Sequence, residues 1–256
     1  MSWSPQQYTQ FEDDRTRPVR DLLAAVPGAD PARAIDLGCG PGNSTEVLAG
    51  RFPGAAVTGL DSSPEMIEAA RRRLPQLRFE LADITTWSDP GPFGVILSNA
   101  VLQWVPDHAA LLPLLCGRLE GGGSLCVQMP DNLEEPATAL MRDTAEQGPW
   151  RAKLADASGQ RTRLGSADWY YGVLRPHCRR VDIWRTIYQH VLPGGPDAIV
   201  EWFRGSGLRP FLAPLTASER DDFLTQYRDA IARAYPALAD GTALLPFPRF
   251  FAVATQ

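Results

Sequence analysis

The chain has 256 residues, a length that suits one large α/β domain or one domain with an inserted segment, and its 44% hydrophobic content is enough for a buried core. The net charge of −5 and the lack of a basic run interleaved with aromatic residues argue against nucleic-acid binding. The sequence also has no apolar run of about 18 residues to span a bilayer, and no basic flank and apolar core at its N-terminus. We therefore expect a cytoplasmic protein, monomeric or weakly homodimeric, that binds neither membranes nor nucleic acid.

The cysteines and histidines predict no metal site. The four cysteines show no C-x-x-C spacing and the three histidines are dispersed, a pattern typical of reduced thiols in a cytosolic enzyme. Basic residues are arginine with the single exception of Lys153, and they are denser after residue 150. A genome bias towards arginine codons explains most of this excess. Guanidinium groups also bind carboxylates through two parallel hydrogen bonds, so both interpretations stay open.

Residues 5–26 have a helical pattern of apolar side chains, with a break expected at Pro18. A short helix ahead of the first strand can close over a cofactor pocket, and on this interpretation residues 1–30 form a helical lid. A helix that only packs on the domain explains the pattern equally well.

The most informative stretch is a short apolar run through Asp36 that leads into alternating glycines at Gly38, Gly40 and Gly42. Glycine lets the backbone turn tightly and leaves no Cβ between the loop and a ligand. The dinucleotide fingerprint requires a glycine where this chain has Asn43, and a phosphate-binding loop requires Gly-Lys-Ser/Thr, so both patterns fit poorly. We predict a strand, a ligand-binding loop that holds no phosphate, and then a helix.

Two more predicted strands end in acidic residues. Residues 55–61 end in Asp61, at the position from which a carboxylate accepts hydrogen bonds from both ribose hydroxyls of a nucleoside. A NAD-binding fold has the same acid, so Asp61 alone does not identify the cofactor. Residues 77–84 alternate in polarity and end in Asp83 and Ile84.

Residues 93–99 form a near-continuous apolar run, as expected of a parallel strand covered on both faces, and residues 124–129 form a fifth strand after a helix over 108–119. Five strand–helix units predict an α/β fold with a doubly wound, mostly parallel sheet whose ligand lies at the carboxyl ends of the strands. Two later segments, 181–190 and 244–254, extend the predicted sheet to seven strands.

The predicted domain division follows these elements. Residues 31–130 form the core, residues 131–178 a helical cap inserted after strand 5, and residues 179–256 the rest of the sheet with inserted helices. The strict alternation of residues 181–190 puts Arg185 on one face among isoleucines, where a guanidinium needs a partner. Either an ion pair or a bound anion satisfies that need.

Stretches along the whole chain resemble known methyltransferases. The pattern D-x-G-x-G-x-G at 36–42 is similar to the first motif of the class I S-adenosylmethionine (SAM)-dependent methyltransferases. More specific stretches resemble the trans-aconitate methyltransferase family, and they extend from the first helix to the last strand. These stretches are 15–18, 36–45, 59–64, 102–108, 127–132, 181–186, 207–210 and 247–249.

The resemblance implies a Rossmann-like class I methyltransferase fold with SAM as the cofactor. In such enzymes the glycine loop lies along the methionine part of SAM, and an acid after the third strand often accepts the adenine amino group. The residues implied to bind the cofactor are Asp36, Gly38, Gly40, Asn43, Asp61, Ser62, Met66, Asp83, Ile84, Asn99 and Ala100.

The resemblance also implies methyl transfer to one carboxylate of trans-aconitate, giving a monomethyl ester and S-adenosylhomocysteine. An alkyl carboxylate with a reference pKa of about 4 is ionised at neutral pH, so we expect no general base. Gln103 and Trp104 are expected to position the reactants, and cations are expected to hold the tricarboxylate. The residues expected to bind substrate are Tyr8, Arg15, Gln103, Trp104, Trp184, Arg185, Tyr188 and Arg249.

Three alternatives to this function stay open to test, two from another class and one that keeps methyl transfer. A NAD-linked oxidoreductase would need the missing glycine and a hydride-handling His or Tyr at a strand end, and the sequence has neither. A SAM-binding regulatory module would bind the cofactor without turnover. A methyltransferase that esterifies another small carboxylic acid is not excluded by the residues.

Overall fold

The structure, a computed structural model, describes residues 12–28 and 30–256. Tyr8 and the side chain of Arg15 lie outside the described part of the chain. The chain divides into two compact units, and the division by role that the sequence suggests stays a prediction. The first unit holds the described residues up to Pro130 with Leu164–Thr186 and Phe250–Gln256, and the second unit holds Asp131–Arg163 and Ile187–Arg249.

A seven-stranded sheet organises the first unit, and its last two strands contain residues of both units. The strands are β1 Arg33–Leu37, β2 Ala56–Asp61, β3 Arg78–Leu81, β4 Phe93–Asn99, β5 Leu119–Pro130, β6 Arg180–Pro193 and β7 Thr242–Thr255. Their order is β3-β2-β1-β4-β5-β7-β6, and the first five pair in parallel. Because β1 lies between β2 and β4, the strand order reverses there and a crevice opens at the carboxyl ends. The predicted doubly wound α/β fold is confirmed.

The centre of the sheet is buried, as the apolar run at 93–99 predicts. Every residue of β4 is buried, and Val95, Ile96 and Leu97 have no exposed surface. Leu37 at the end of β1 is equally enclosed. This packed centre holds the ends of β1, β2 and β4 in fixed positions, where the ligand loops begin.

Nine α-helices connect and cover the strands in the described part of the chain. They are α1 Glu12–Ala24, α2 Asn43–Arg51, α3 Pro64–Arg73, α4 His108–Cys116, α5 Pro136–Gln147, α6 Ala167–Leu174, α7 Pro196–Arg204, α8 Arg209–Leu212 and α9 Ala217–Ala234. Short 3₁₀ turns lie at Leu102–Trp104 and Ala157–Gln160. A bilayer-spanning helix, which must be long and apolar, is not found among the described residues.

The break expected at Pro18 is wrong, because α1 continues through this residue. An internal proline costs a helix about 3 kcal/mol. The same helix buries Val19, Leu22 and Leu23, and full burial of each such side chain contributes about 1.5–3 kcal/mol. The packing of α1 therefore outweighs the local preference of the sequence.

The helix predicted to end at residue 119 and the strand predicted to begin at 124 are also corrected. Helix α4 ends at Cys116 and β5 begins at Leu119. Along β4, Phe93 pairs with Leu119 whereas Val95 pairs with Ser124, so the glycines between them form an irregularity in the ladder. Gly122 has a φ of +85°, which glycine adopts without strain.

The second unit is mainly helical, and three of its large aromatic side chains form hydrogen bonds with backbone groups. Tyr227 of α9 donates to the carbonyl of Ala137 in α5 at 3.0 Å, and the amide of Ala137 donates to the hydroxyl of Tyr235 at 3.1 Å. Trp150 is fully buried and donates its indole N–H to the carbonyl of Thr144 at 3.0 Å. Paired polar groups of this kind let large aromatic side chains fill a core.

Replacement of Thr216 by alanine should lower the free energy of unfolding by about 1 kcal/mol, because Thr216 caps α9. Its hydroxyl accepts from the Glu219 amide at 3.3 Å, and the Glu219 carboxylate accepts from the Thr216 amide at 2.9 Å. Thr225→Ala in the same helix is the control, since this exposed side chain should matter by less than about 0.5 kcal/mol. Urea unfolding measures both variants, and equal losses would contradict the capping role.

Candidate active site

A pocket of about 370 Å³ lies at the carboxyl ends of β1, β2 and β4 in the first unit. Its size lies within the range of small-molecule sites, about 300–1,000 Å³. All the residues implied to bind a cofactor line it except Asp36 and Asn43, and Trp104 lines it as well. The structure therefore brings together side chains from four separate parts of the sequence.

The glycine loop after β1 forms the floor of this pocket. The amides of Gly38 and Cys39 both donate to the Leu60 carbonyl, at 2.7 and 2.8 Å, which ties the loop to β2. Gly38 has a φ of +72°, and a Cβ there would overlap the Val101 side chain. Gly40 has a φ of +54°, and a Cβ there would meet only open space. The loop thus leaves room for a ligand directly above Gly40.

Asp61, at the end of β2, is bonded to the loop and to its own turn. One carboxylate oxygen accepts from the Gly40 amide at 2.9 Å, and the other accepts from the Ser63 amide at 2.9 Å. Burial raises the pKa of Asp61, and the hydrogen bonds from Ser63 and Gly40 oppose that shift. A backbone hydrogen bond from Ser62 also opposes the rise in the pKa of Asp61, and with about four lone-pair sites the carboxylate keeps the capacity to accept a further hydrogen bond.

Asp83 stands at the exposed rim of the pocket, after β3. One of its oxygens accepts from both the amide and the hydroxyl of Thr85, at 2.8 and 2.7 Å. The Thr85 hydroxyl is the main cause of the lowered pKa of Asp83. Asp83 is therefore ionised at neutral pH and is a strong acceptor beside the buried side chain of Ile84.

Asp36 and Asn43 lie away from this pocket. Asp36 is fully buried inside β1, and one oxygen accepts from the hydroxyls of Ser44 and Thr45 at 2.6 and 2.7 Å. These bonds attach the start of α2 to β1. Asn43 begins α2 and lines a separate groove together with residues of α1, such as Arg20. Neither Asp36 nor Asn43 lines the pocket beside Gly40.

The segment after β4 forms one wall of the pocket. Ala100 has a φ of +56°, uncommon for a residue with a Cβ, and its amide donates to the Gln128 carbonyl at 2.9 Å. Gln103 is buried and donates from its amide group to the Ala100 carbonyl at 2.7 Å. Within the described part of the chain, the side-chain oxygen of Asn99 is buried without a hydrogen-bond partner. A ligand donor in the pocket would satisfy this oxygen.

The other residues expected to bind substrate are spread over both units. Trp184 lies in the first unit and stacks on Phe251, with ring centroids 4.9 Å apart. Tyr188 and Arg249 are buried in the second unit, where the Arg249 guanidinium lies 6.0 Å from the Tyr188 ring centroid. Arg185 is exposed, and its expected role, to pair with an acid or to hold an anion, stays a prediction. It lies on the edge strand of the sheet, where the pattern of alternation does not imply burial.

Several pocket residues escaped the sequence analysis. Thr85, Val101 and Pro106 line the pocket, but the sequence analysis gave none of them a role. The fit of Val101 against Gly38 joins residues far apart in the sequence, and only the folded chain reveals it. A local pattern could have pointed to Thr85, because an aspartate followed two residues later by a threonine favours a turn in which the threonine bonds to the carboxylate.

Comparison with known proteins agrees with this geometry. Residues 34–123 match a family model described as a methyltransferase domain. The trans-aconitate 2-methyltransferase of Methylobacterium nodulans is 55% identical over 254 residues, which cover 99% of this chain and 98% of that protein. The protein of the same name from Variovorax paradoxus is 51% identical over 258 residues, covering 100% and 99%. The chain belongs to the trans-aconitate 2-methyltransferase family.

Solved structures show that this family member has the Rossmann-like fold of class I methyltransferases. The YcgJ protein of Bacillus subtilis superposes with a TM-score of 0.60 at 12% identity, covering 94% of this chain and 98% of that one. A phosphoethanolamine N-methyltransferase 2 of Haemonchus contortus, solved with S-adenosylhomocysteine, gives 0.55 at 17% identity over 93% of this chain and 52% of that chain.

The ionisation of Asp36 should make this methyltransferase less stable as the pH rises. Burial raises the pKa of Asp36 from 3.8 to about 6, so between these values the folded state binds more protons than the unfolded state. The free energy of unfolding therefore falls across that window. Relative to Asp36→Asn, which cannot titrate, the wild type should lose about 1 kcal/mol between pH 5 and pH 7.5.

Urea unfolding of both proteins at the two pH values measures this difference. Asp36→Asn also changes the hydrogen bonds from Ser44 and Thr45, but the effect on the free energy of unfolding is the same at both pH values and so cancels in the comparison. A difference between wild type and variant that does not change with pH would contradict the prediction.

Proposed function

We propose that this chain transfers a methyl group from SAM to one carboxylate of trans-aconitate, giving a monomethyl ester and S-adenosylhomocysteine. Membership of the trans-aconitate 2-methyltransferase family supports the reaction and the acceptor. The observation that carries the proposal is the hydrogen bond from the Gly40 amide to the Asp61 carboxylate, next to the open space at Gly40. The hydroxyls of a ribose can donate to a carboxylate that has spare acceptor capacity. The glycine loop beside Asp61 lacks a phosphate-binding pattern, which favours SAM over a dinucleotide.

The residues of the pocket suit a nucleoside with a cationic tail. Asp61 would accept from the ribose hydroxyls, and Asp83 would accept from the adenine amino group, with Ile84 beside the ring. Gly38 and Gly40 would border the amino-acid tail, where the buried Asn99 oxygen offers an acceptor for an ammonium group. Ser62, Met66 and Ala100 complete the proposed cofactor-binding set.

When bound, SAM supplies a methyl group on a positively charged sulfur. A carboxylate oxygen of the acceptor forms the new C–O bond while the C–S bond breaks, and its electron pair stays on the sulfur, so no proton moves. The protein therefore needs no general base, since the acceptor is ionised at neutral pH. Its residues act by alignment and exclusion of water, which favour a reaction in which two opposite charges disappear.

Cations are needed to hold a tricarboxylate. The proposed residues are Arg15, Arg185 and Arg249, with Tyr8, Gln103, Trp104, Trp184 and Tyr188 as their uncharged partners. Arg185 is exposed and so free of the desolvation that a buried cation suffers, whereas Arg249 is only 4% exposed. A carboxylate that reaches the buried guanidinium would gain the strong, bidentate hydrogen bonding typical of such pairs.

Removal of the Asp83 carboxylate should weaken the binding of S-adenosylhomocysteine. Loss of one hydrogen bond to a charged acceptor costs about 1.5–3 kcal/mol, so Asp83→Ala should raise Kd about tenfold or more in calorimetry. Asp89→Ala is the matched control, because Asp89 also accepts from a backbone amide two residues on, that of Gly91 at 2.9 Å, but does not line the pocket. Equal affinities for the two variants would remove Asp83 from the site.

Arg185→Ala should raise KM for trans-aconitate tenfold or more, with the affinity for S-adenosylhomocysteine unchanged, if this guanidinium holds a substrate carboxylate. The control is Arg180→Ala in the same strand, where the exposed guanidinium pairs with Asp182 at 2.6 Å. Steady-state kinetics measure both. A KM for Arg185→Ala equal to that of the control would exclude Arg185 from substrate binding.

Mass spectrometry of reactions with SAM and a panel of di- and tricarboxylates tests the whole proposal. The expected product is trans-aconitate monomethyl ester. If an ester forms from another acid and not from trans-aconitate, the proposed acceptor is wrong but the proposed carboxyl methylation stands. Binding of SAM with no ester from any acid would contradict an enzymatic function and favour a regulatory module.

A further inference from the structure

A buried hydrogen-bond chain stands behind the pocket wall in the first unit, and the cofactor contacts proposed above do not use it. The wall begins after β4 and includes the 3₁₀ turn Leu102–Trp104. The Leu102 carbonyl accepts from the Val105 amide at 2.9 Å and from Nε2 of His108 at 2.8 Å. The other ring nitrogen, Nδ1, lies 2.8 Å from the hydroxyl of Tyr170.

The Leu102 carbonyl fixes the role of one ring nitrogen of His108. A backbone carbonyl can only accept, so Nε2 of His108 must donate to Leu102. In the neutral ring Nδ1 is then an acceptor, and the Tyr170 hydroxyl donates to it. A neutral imidazole donates a hydrogen bond from one ring nitrogen and accepts a hydrogen bond at the other, and the rigid ring keeps the two nitrogens at a fixed separation. With a neutral ring, the hydrogen bonds therefore run in one direction, from Tyr170 through His108 to the backbone of the turn.

The far end of this chain is held firmly. Tyr170 is 1% exposed and His108 is 4% exposed. The Tyr170 ring packs against Phe250 of β7, with centroids 4.6 Å apart, and edge-on against Trp169 at 4.9 Å. Because Tyr170 belongs to α6 and His108 begins α4, the chain links two helices to the turn. Packed aromatic rings of this kind hold a hydroxyl in a single position.

The near end of the chain is part of the pocket. The turn carries Trp104, and Val105 and Pro106 follow it, all three lining the pocket. The Leu102 and Val105 side chains are buried, so the turn cannot shift without disturbing the core. The bond from the Ala100 amide to the Gln128 carbonyl, the bond from Gln103 to the Ala100 carbonyl and the bond from His108 to the Leu102 carbonyl all hold the wall.

We propose that His108 and Tyr170 are positioning residues that hold the wall formed by residues 101–106 in the shape that binds the cofactor. This inference rests on the proposed function, because it assigns the pocket to SAM. Neither residue touches the pocket, so both act through the Leu102 carbonyl. Loss of the chain should loosen the turn and weaken cofactor binding while β4 and β5 keep their structure.

Four variants test the proposal. His108→Leu removes both hydrogen bonds, whereas His108→Gln keeps an N–H donor at the reach of Nε2. Tyr170→Phe removes only the hydroxyl. Tyr171→Phe is the matched control, since it makes the same change on the neighbouring tyrosine, which is 47% exposed. The affinity for S-adenosylhomocysteine is measured by calorimetry, and amide hydrogen exchange is measured in the ligand-free proteins.

The proposal expects His108→Leu to weaken S-adenosylhomocysteine binding tenfold or more and to speed exchange at the Trp104 and Val105 amides, with the β4 and β5 amides unchanged. His108→Gln should restore affinity to within about threefold of wild type. Tyr170→Phe should show a smaller loss in the same direction, and Tyr171→Phe should match wild type.

A purely structural role would lower the melting temperature but leave affinity and exchange at residues 101–106 as in Tyr171→Phe, and that result would overturn the proposal. If His108→Leu does not fold, Tyr170→Phe and His108→Gln decide by the same criteria. If the wild type binds no S-adenosylhomocysteine, the proposed function fails. Amide exchange alone still decides whether the hydrogen bonds of Tyr170 and His108 hold the wall.

Discussion

The hydrogen bond from the Gly40 amide to the Asp61 carboxylate is the interaction on which the site depends. It joins the loop after β1 to the end of β2, and the paired amides of Gly38 and Cys39 on the Leu60 carbonyl reinforce it. The positive φ angles of Gly38 and Gly40 make this bend possible without strain. The acid that faces the pocket is thereby held by the same loop that leaves space for a ligand.

The rest of the first unit maintains this arrangement from three sides. Asp36 attaches the start of α2 to β1 through two hydroxyls, at the cost of burying a carboxylate whose pKa rises to about 6. Val101 closes the space beside Gly38, so the wall after β4 and the glycine loop constrain each other. His108 holds that wall from behind. The proposed methyl transfer depends on alignment and needs no base, so it requires rigid support of this kind.

Much of this arrangement is predictable from the sequence, because glycine spacing and acids at strand ends reflect local backbone requirements. The positions of Asp61 beside Gly40 and the doubly wound order follow from such patterns. The continuity of α1 through Pro18 does not, since tertiary burial decides it. The exposure of Arg185 depends on β6 being the edge strand, and the fit of Val101 against Gly38 depends on contacts between distant residues. Local patterns carry no information on either.

Calorimetric titration of the purified protein with SAM and, separately, with NAD tests most directly whether the pocket binds SAM. We expect saturable binding of SAM at one site per chain and no binding of NAD, because the pocket pairs acids with a glycine loop that lacks a phosphate-binding pattern. Uptake of NAD together with indifference to SAM would contradict this expectation.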